Sequence, residues 1–140
     1  MQTTSKKAFT MVELIFVIVV IGILAAIAVP RFAATRDDAQ ITRGMATLAS
    51  VRSAIATERQ KRILRGDFTP ITDLGDATYA FNRFDDANGS LVLEYPMKAG
   101  TSNGKWSRSG TVYTFYHIEG ECDFNLTKNR LTGECPVFGN

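Results

Sequence analysis

Apolar residues fill almost every position from Phe9 to Val29, where Glu13 is the one charged side chain. A helix needs ~20 such residues to cross the ~30 Å of bilayer hydrocarbon, so the run has spanning length. Lys6 and Lys7 precede it, and the preference of basic flanks for the cytoplasmic face predicts a cytoplasmic N-terminus. Further along, Ile41, Met45, Leu48, Val51 and Ile55 recur at steps of 4, 3, 3 and 4, the one-face spacing of an amphipathic helix. No Gly-Pro punctuation follows until Gly66 and Pro70, so the pattern predicts one helix over residues 9–65, roughly 85 Å long at about 1.5 Å per residue. The remaining 75 residues do not need such a helix for their own core. Its first half must pack against lipid or against other copies. Gly22 and Pro30 lie inside it, and a proline there cannot bond the carbonyl of Ala26, which loosens the helix.

After the loop "RGDFTPITDLGDA" the pattern changes to short β-rich runs. These are residues 78–84, 91–95, 111–119, 122–126 and 130–135, separated by turn-forming stretches. They predict an antiparallel sheet laid on the second half of the helix, with the last two runs forming a hairpin. The fold class is therefore α+β: one long N-terminal helix, its first half transmembrane, packed on a small antiparallel β-sheet.

Charge is unevenly distributed. Residues 31–65 carry eight cations against Asp37, Asp38 and Glu58, whereas residues 66–140 carry six cations against ten acids. A basic segment joined to an acidic domain points to complementary packing between copies or to attraction for phosphate, beside the plain reading of a solvated basic helix face. The only cysteines, Cys122 and Cys135, sit behind a segment that would export the domain, and in an oxidising compartment such a pair forms a disulfide across the hairpin's open end. Catalytic signatures are missing: there is no G-x-S-x-G, no phosphate-binding loop and no histidine pair for zinc. The single histidine, His117, falls in the aromatic run "FYHIE" and reads as a packed residue. No cofactor is expected and no metal, since "DDANG" has Phe84 where a calcium loop begins with an acid.

The stretch "KKAFTMVEL" resembles the class III signal of type IV pilins and type II secretion pseudopilins. The resemblance implies cleavage between Ala8 and Phe9 by a prepilin peptidase, N-methylation of Phe9, and an assembly role for Glu13 as the fifth mature residue. Ala8 departs from the glycine that is commonest before the cut. Gly22 and Pro30 stand at the family's usual glycine and proline positions. The implied organisation is a leader over 1–8, a transmembrane and filament-core half-helix over 9–29, an amphipathic half over 30–65 and a C-terminal β domain over 66–140. The implied partners are further copies, related pilin-like subunits, an inner-membrane assembly platform, and lipid before assembly. The implied location is the inner membrane and then a periplasmic or surface filament of a Gram-negative-type bacterium. A physical role for Glu13 follows: a carboxylate in an apolar filament core needs a partner, and the α-amino group of Phe9 on a neighbouring subunit supplies one, which fixes the stagger. The Tyr-Pro-rich segment of major pseudopilins is not visible, and the C-terminal cysteine pair looks more like type IV pilins.

Two other readings stand beside this one. Arg59, Lys61, Arg62 and Arg65, with Trp106, Tyr113, Phe115 and Tyr116, would suit a minor or competence pilin that binds DNA or glycan. Ala26 and Ala28 would suit an ordinary secretory signal cut before Val29. Two sequons, at Asn88 and Asn125, each have an aspartate two residues upstream (Asp86 and Asp123) and read as N-glycosylation acceptors in turns or strand ends.

Overall fold

The computed structural model describes residues 8–85 and 89–139. One helix, α1, runs over Met11–Leu64. Six strands follow, β1 (Tyr79–Phe81), β2 (Met97–Lys98), β3 (Trp106–Ser109), β4 (Val112–His117), β5 (Gly120–Thr127) and β6 (Arg130–Thr132), and then a 3-10 turn over Pro136–Phe138. The chain divides into two compact units, at Arg36 and Asp37.

The first unit is helical from Met11 on. Its apolar side chains lie in the open: Phe16 is 67% exposed, Leu24 61% and Phe32 74%. An 18-residue window here reaches a mean hydropathy of 3.1, with none of it buried.

The second unit, residues 37–139, is built around the remaining helical turns. Leu48, Val51 and Ile55 are buried on one stripe, each stabilising the unit by about 1.5–3 kcal/mol relative to exposure. The stripe departs from the expected one in two ways. Met45 is exposed, and Gly44 takes the buried place one turn before Leu48. A Cβ on Gly44 would stand 2.5 Å from the Phe115 ring, so glycine is what lets helix and sheet approach here. Beyond Ile55 the stripe continues through Glu58 and Arg62, both buried.

The sheet order is β3-β4-β5-β6, all antiparallel, with β1 and β2 forming a separate two-stranded ribbon. Inward residues alternate with outward ones along β4 and β5, the signature of a sheet with one face covered. Trp106, Tyr113, Phe115, Phe124, Phe81 and Phe138 form the core, with ring centroids 5.1–5.5 Å apart between Trp106 and Phe115, Phe81 and Phe124. Lys128 and Asn129 both take positive φ, 50° and 63°, giving the two-residue turn that joins β5 to β6.

The predicted strand at 91–95 does not form; Leu91 makes only an isolated bridge to Arg83. Strand β3 lies instead in a stretch whose glycines and serines read as a loop. The run at 130–135 pairs only through Thr132.

Candidate functional site

At the head of α1, Thr10 and Glu13 bond reciprocally. The Thr10 backbone N–H and hydroxyl donate to Glu13 Oε2 at 3.2 and 3.1 Å, and the Glu13 N–H donates back to Thr10 Oγ1 at 3.2 Å. This is a capping box, which satisfies two of the orphan donors at a helix start. Its sequence signal is Thr-x-x-Glu ahead of an apolar run, a local role for Glu13 that its place as a charge in an apolar run conceals. Among the described residues no cation lies within ion-pair distance of Glu13. Ala8 and Phe9 are exposed. A Cβ on Gly22 would meet nothing within 4 Å, so this chain's own packing does not require a glycine there. Pro30 stands inside α1, which continues past it.

In the second unit the basic group separates into different roles. Arg62 is buried: its Nε donates to Glu58 Oε1 at 3.2 Å and its Nη2 to Asp85 Oδ2 at 2.5 Å. Burial works against its charge, yet the bonds to Asp85 and Glu58 and their negative charges hold its pKa above the ordinary arginine value. Arg62 is therefore a structural cation, not a phosphate ligand. Arg59 donates to the Thr69 carbonyl at 3.2 Å, while Lys61 and Arg65 remain exposed.

Asp85 links several elements. It accepts from the Thr72 N–H at 2.6 Å, the Thr72 hydroxyl at 2.9 Å and the Asp73 N–H at 3.0 Å. Burial pushes its carboxyl up, but these bonds and Arg62 outweigh that and hold it below the usual aspartate value. Asp73 in turn pairs with Arg108 and accepts from Tyr113 Oη at 3.2 Å. Tyr113 Oη accepts from the Leu74 N–H at 2.9 Å. Burial and the Asp73 carboxylate push the Tyr113 phenol up to about 12, against the opposing Leu74 bond.

Trp106, Tyr113 and Phe115 are fully buried, so three of the four aromatics considered for stacking on bases or sugars are core. Tyr116 is half-buried.

The structure joins Cys122 to Cys135, with Cα atoms 5.3 Å apart, across the open end of the β5–β6 hairpin. His117 is buried beside this bond, its Nε2 3.5 Å from Cys122 Sγ. Its Nδ1 accepts from the Glu119 N–H at 3.3 Å. These three donor atoms lie within 4.8 Å of one another, but the two sulfurs are bonded together and His117 acts as a packing residue.

Asn125 is exposed in the middle of β5, not in a turn, with Asp123 on the same outward face bonded to Thr114 at 2.6 Å. Asn88 and Asp86 lie outside the described residues, as do Lys6 and Lys7.

The prokaryotic N-terminal methylation motif matches residues 3–29. A fimbrial protein of Pseudomonas aeruginosa is 39% identical over an alignment of 154 residues that covers 94% of this chain and 97% of that protein. The type IV major fimbrial protein FimA of Dichelobacter nodosus is 42% identical over 108 residues, covering 67% of this chain and 65% of FimA. The type IV narrow pilus major component PilA5 of Thermus thermophilus is 56% identical over 59 residues, 41% of this chain and 51% of PilA5. The match thus spans about half of PilA5 and just under two thirds of FimA. No solved structure matches the chain significantly.

Proposed function

Because the chain belongs to the type IV pilin family, a family of structural filament subunits and not of enzymes, we propose that it is a subunit of a type IV pilus. Its leader ends at Ala8, a prepilin peptidase cuts before Phe9, and the new N-terminus is methylated. The subunit waits in the inner membrane through the apolar half of α1 and is then drawn into a surface filament.

The observation that carries this reading is the state of the first unit. From Met11 to Val29 the helix is apolar and stands exposed, and the one charge in that run, Glu13, meets no cation among the described residues. Lipid tails can cover the apolar surface, and at the helix end the carboxylate reaches the interface. In a filament core that escape is gone. The α-amino group of Phe9 from a neighbouring copy then answers the carboxylate, and a stagger that leaves Glu13 unpaired is penalised by the cost of a buried lone charge.

Glu13→Ala tests the pairing. It removes the charge and the carboxylate's bonds from Thr10 but no apolar surface, so the membrane-inserted pool persists or grows while the sheared surface filament falls by about tenfold, the change expected for ~1.4 kcal/mol per contact. Normal filament yield from Glu13→Ala would contradict the pairing role.

A further inference from the structure

The second unit carries two exposed patches of opposite charge at its two ends. Near the C-terminal end of α1, Leu64 is 87% exposed and Phe68 70%, with Lys61 and Arg65 exposed beside them. On the β4–β5 turn, Ile118 is 58% exposed and is followed by the exposed acids Glu119 and Glu121. Their placement along α1 follows from the packing. A Cβ on Gly104 would stand 3.1 Å from the Gln40 side chain. The Gly104 N–H donates to the Tyr116 carbonyl at 2.8 Å, which brings the end of β4 to the Gln40 end of the helix. At the other end, the Ile71 N–H donates to Asn129 Oδ1 at 2.5 Å, so the opposite edge of the sheet meets the loop that follows Leu64. Gln40 and Leu64 are separated by about 36 Å of helix at ~1.5 Å per residue.

We propose that the Ile118–Glu119–Glu121 tip of one copy docks on the Lys61–Leu64–Arg65–Phe68 patch of a second copy. The occupant is chosen by chemistry. One patch sets Leu64 and Phe68 beside two exposed cations and the other sets Ile118 beside two exposed acids, so each offers the charge the other lacks. The Asp67 carboxylate, which accepts from the Thr69 N–H at 2.9 Å and the Thr69 hydroxyl at 2.6 Å, keeps its charge, and the two exposed cations Lys61 and Arg65 outnumber it. Arg65 lies 3.6 Å from Glu58 yet keeps 67% of its side chain exposed. The contact is heterologous, because two different surfaces meet, and a heterologous contact that does not close into a ring propagates as an open helical array. It rests on the filament reading above and names the second contact a filament needs, outside the apolar helices.

Two experiments test it on the full chain in cells. First, Glu119→Lys with Glu121→Lys, and separately Lys61→Glu with Arg65→Glu, are expected to lower sheared filament at least fivefold, and the four changes together to restore it. Second, Leu64→Cys with Ile118→Cys, treated with a short bismaleimide on intact filaments, is expected to give a ladder of cross-linked subunits that neither single substitution gives. Charge reversals without effect and no ladder, in cells whose wild-type chain still forms filaments starting at Phe9, would overturn the docking and leave the filament reading intact. A wild-type chain that forms no filaments would overturn both.

Discussion

At the residue scale, Glu13 and Thr10 close the start of α1 by reciprocal bonds, and the pairing proposed for Glu13 would give the same carboxylate a second role. Arg62 poses the reverse case, a charge fully answered within its own unit by Glu58 and Asp85. Arg62→Ala would leave two carboxylates facing a buried space, and we expect a loss of about 3–5 kcal/mol in unfolding free energy, read by denaturant melts of the detergent-solubilised chain. A change below 1 kcal/mol would contradict the assignment of Arg62 as a structural cation.

Tyr113 gives a pH prediction. Its pKa is raised from 10 to about 12, so between those values the unfolded chain releases the phenolic proton while the folded chain keeps it. Stability therefore falls as pH rises through that window, by on the order of 3 kcal/mol in all. Tyr113→Phe should lose this alkaline fall while costing about 1–3 kcal/mol at neutral pH, where the Leu74 N–H loses its partner. Asp85 works in the opposite sense. Its lowered pKa supplies stability above the ordinary aspartate value that is lost as pH falls through the native one. Asp85→Asn should flatten the acid limb of the stability profile.

Glu58 and Arg62 were legible in the sequence by phase alone, since they lie three and seven residues beyond Ile55. Arg62 instead reads as part of a basic group suited to DNA, because charged residues are seldom buried. Gly44 was illegible: its place in the stripe depends on the Phe115 ring arriving from a strand more than seventy residues away.

At the scale of elements, the long helix was read to within two residues at its start and one at its end, because its apolar run, stripe and closing Gly-Pro signals all agree. The strands were harder. Residues 91–95 are rich in β-formers, but Leu91 and Tyr95 face solvent and nothing pairs with them as a strand, so propensity loses to the absence of a partner. Strand β3 was hidden because Trp106 alone among its residues is apolar, and it forms by pairing with β4, a non-local contact that a local pattern does not carry. The closing hairpin was readable from its short "TKN" turn and its cysteines. Replacing both Cys122 and Cys135 with serine is expected to cost about 3 kcal/mol and to make the segment after Thr132 the first to exchange amide hydrogens. Unchanged protection there would show that Phe138 packing alone holds it.

For the whole molecule, a self-contained unit with a closed aromatic core is joined in sequence to a helical unit whose apolar surface stays uncovered among the described residues. Such an arrangement makes sense for a subunit whose structure is completed by other copies. The most direct test is the N-terminus of the chain in filaments sheared from the native host, read by mass spectrometry. The expected result is a mature chain that begins at methylated Phe9, with Glu13 as its fifth residue. A filament fraction without this chain, or a mature chain beginning at Val29 or at Met1, would contradict it.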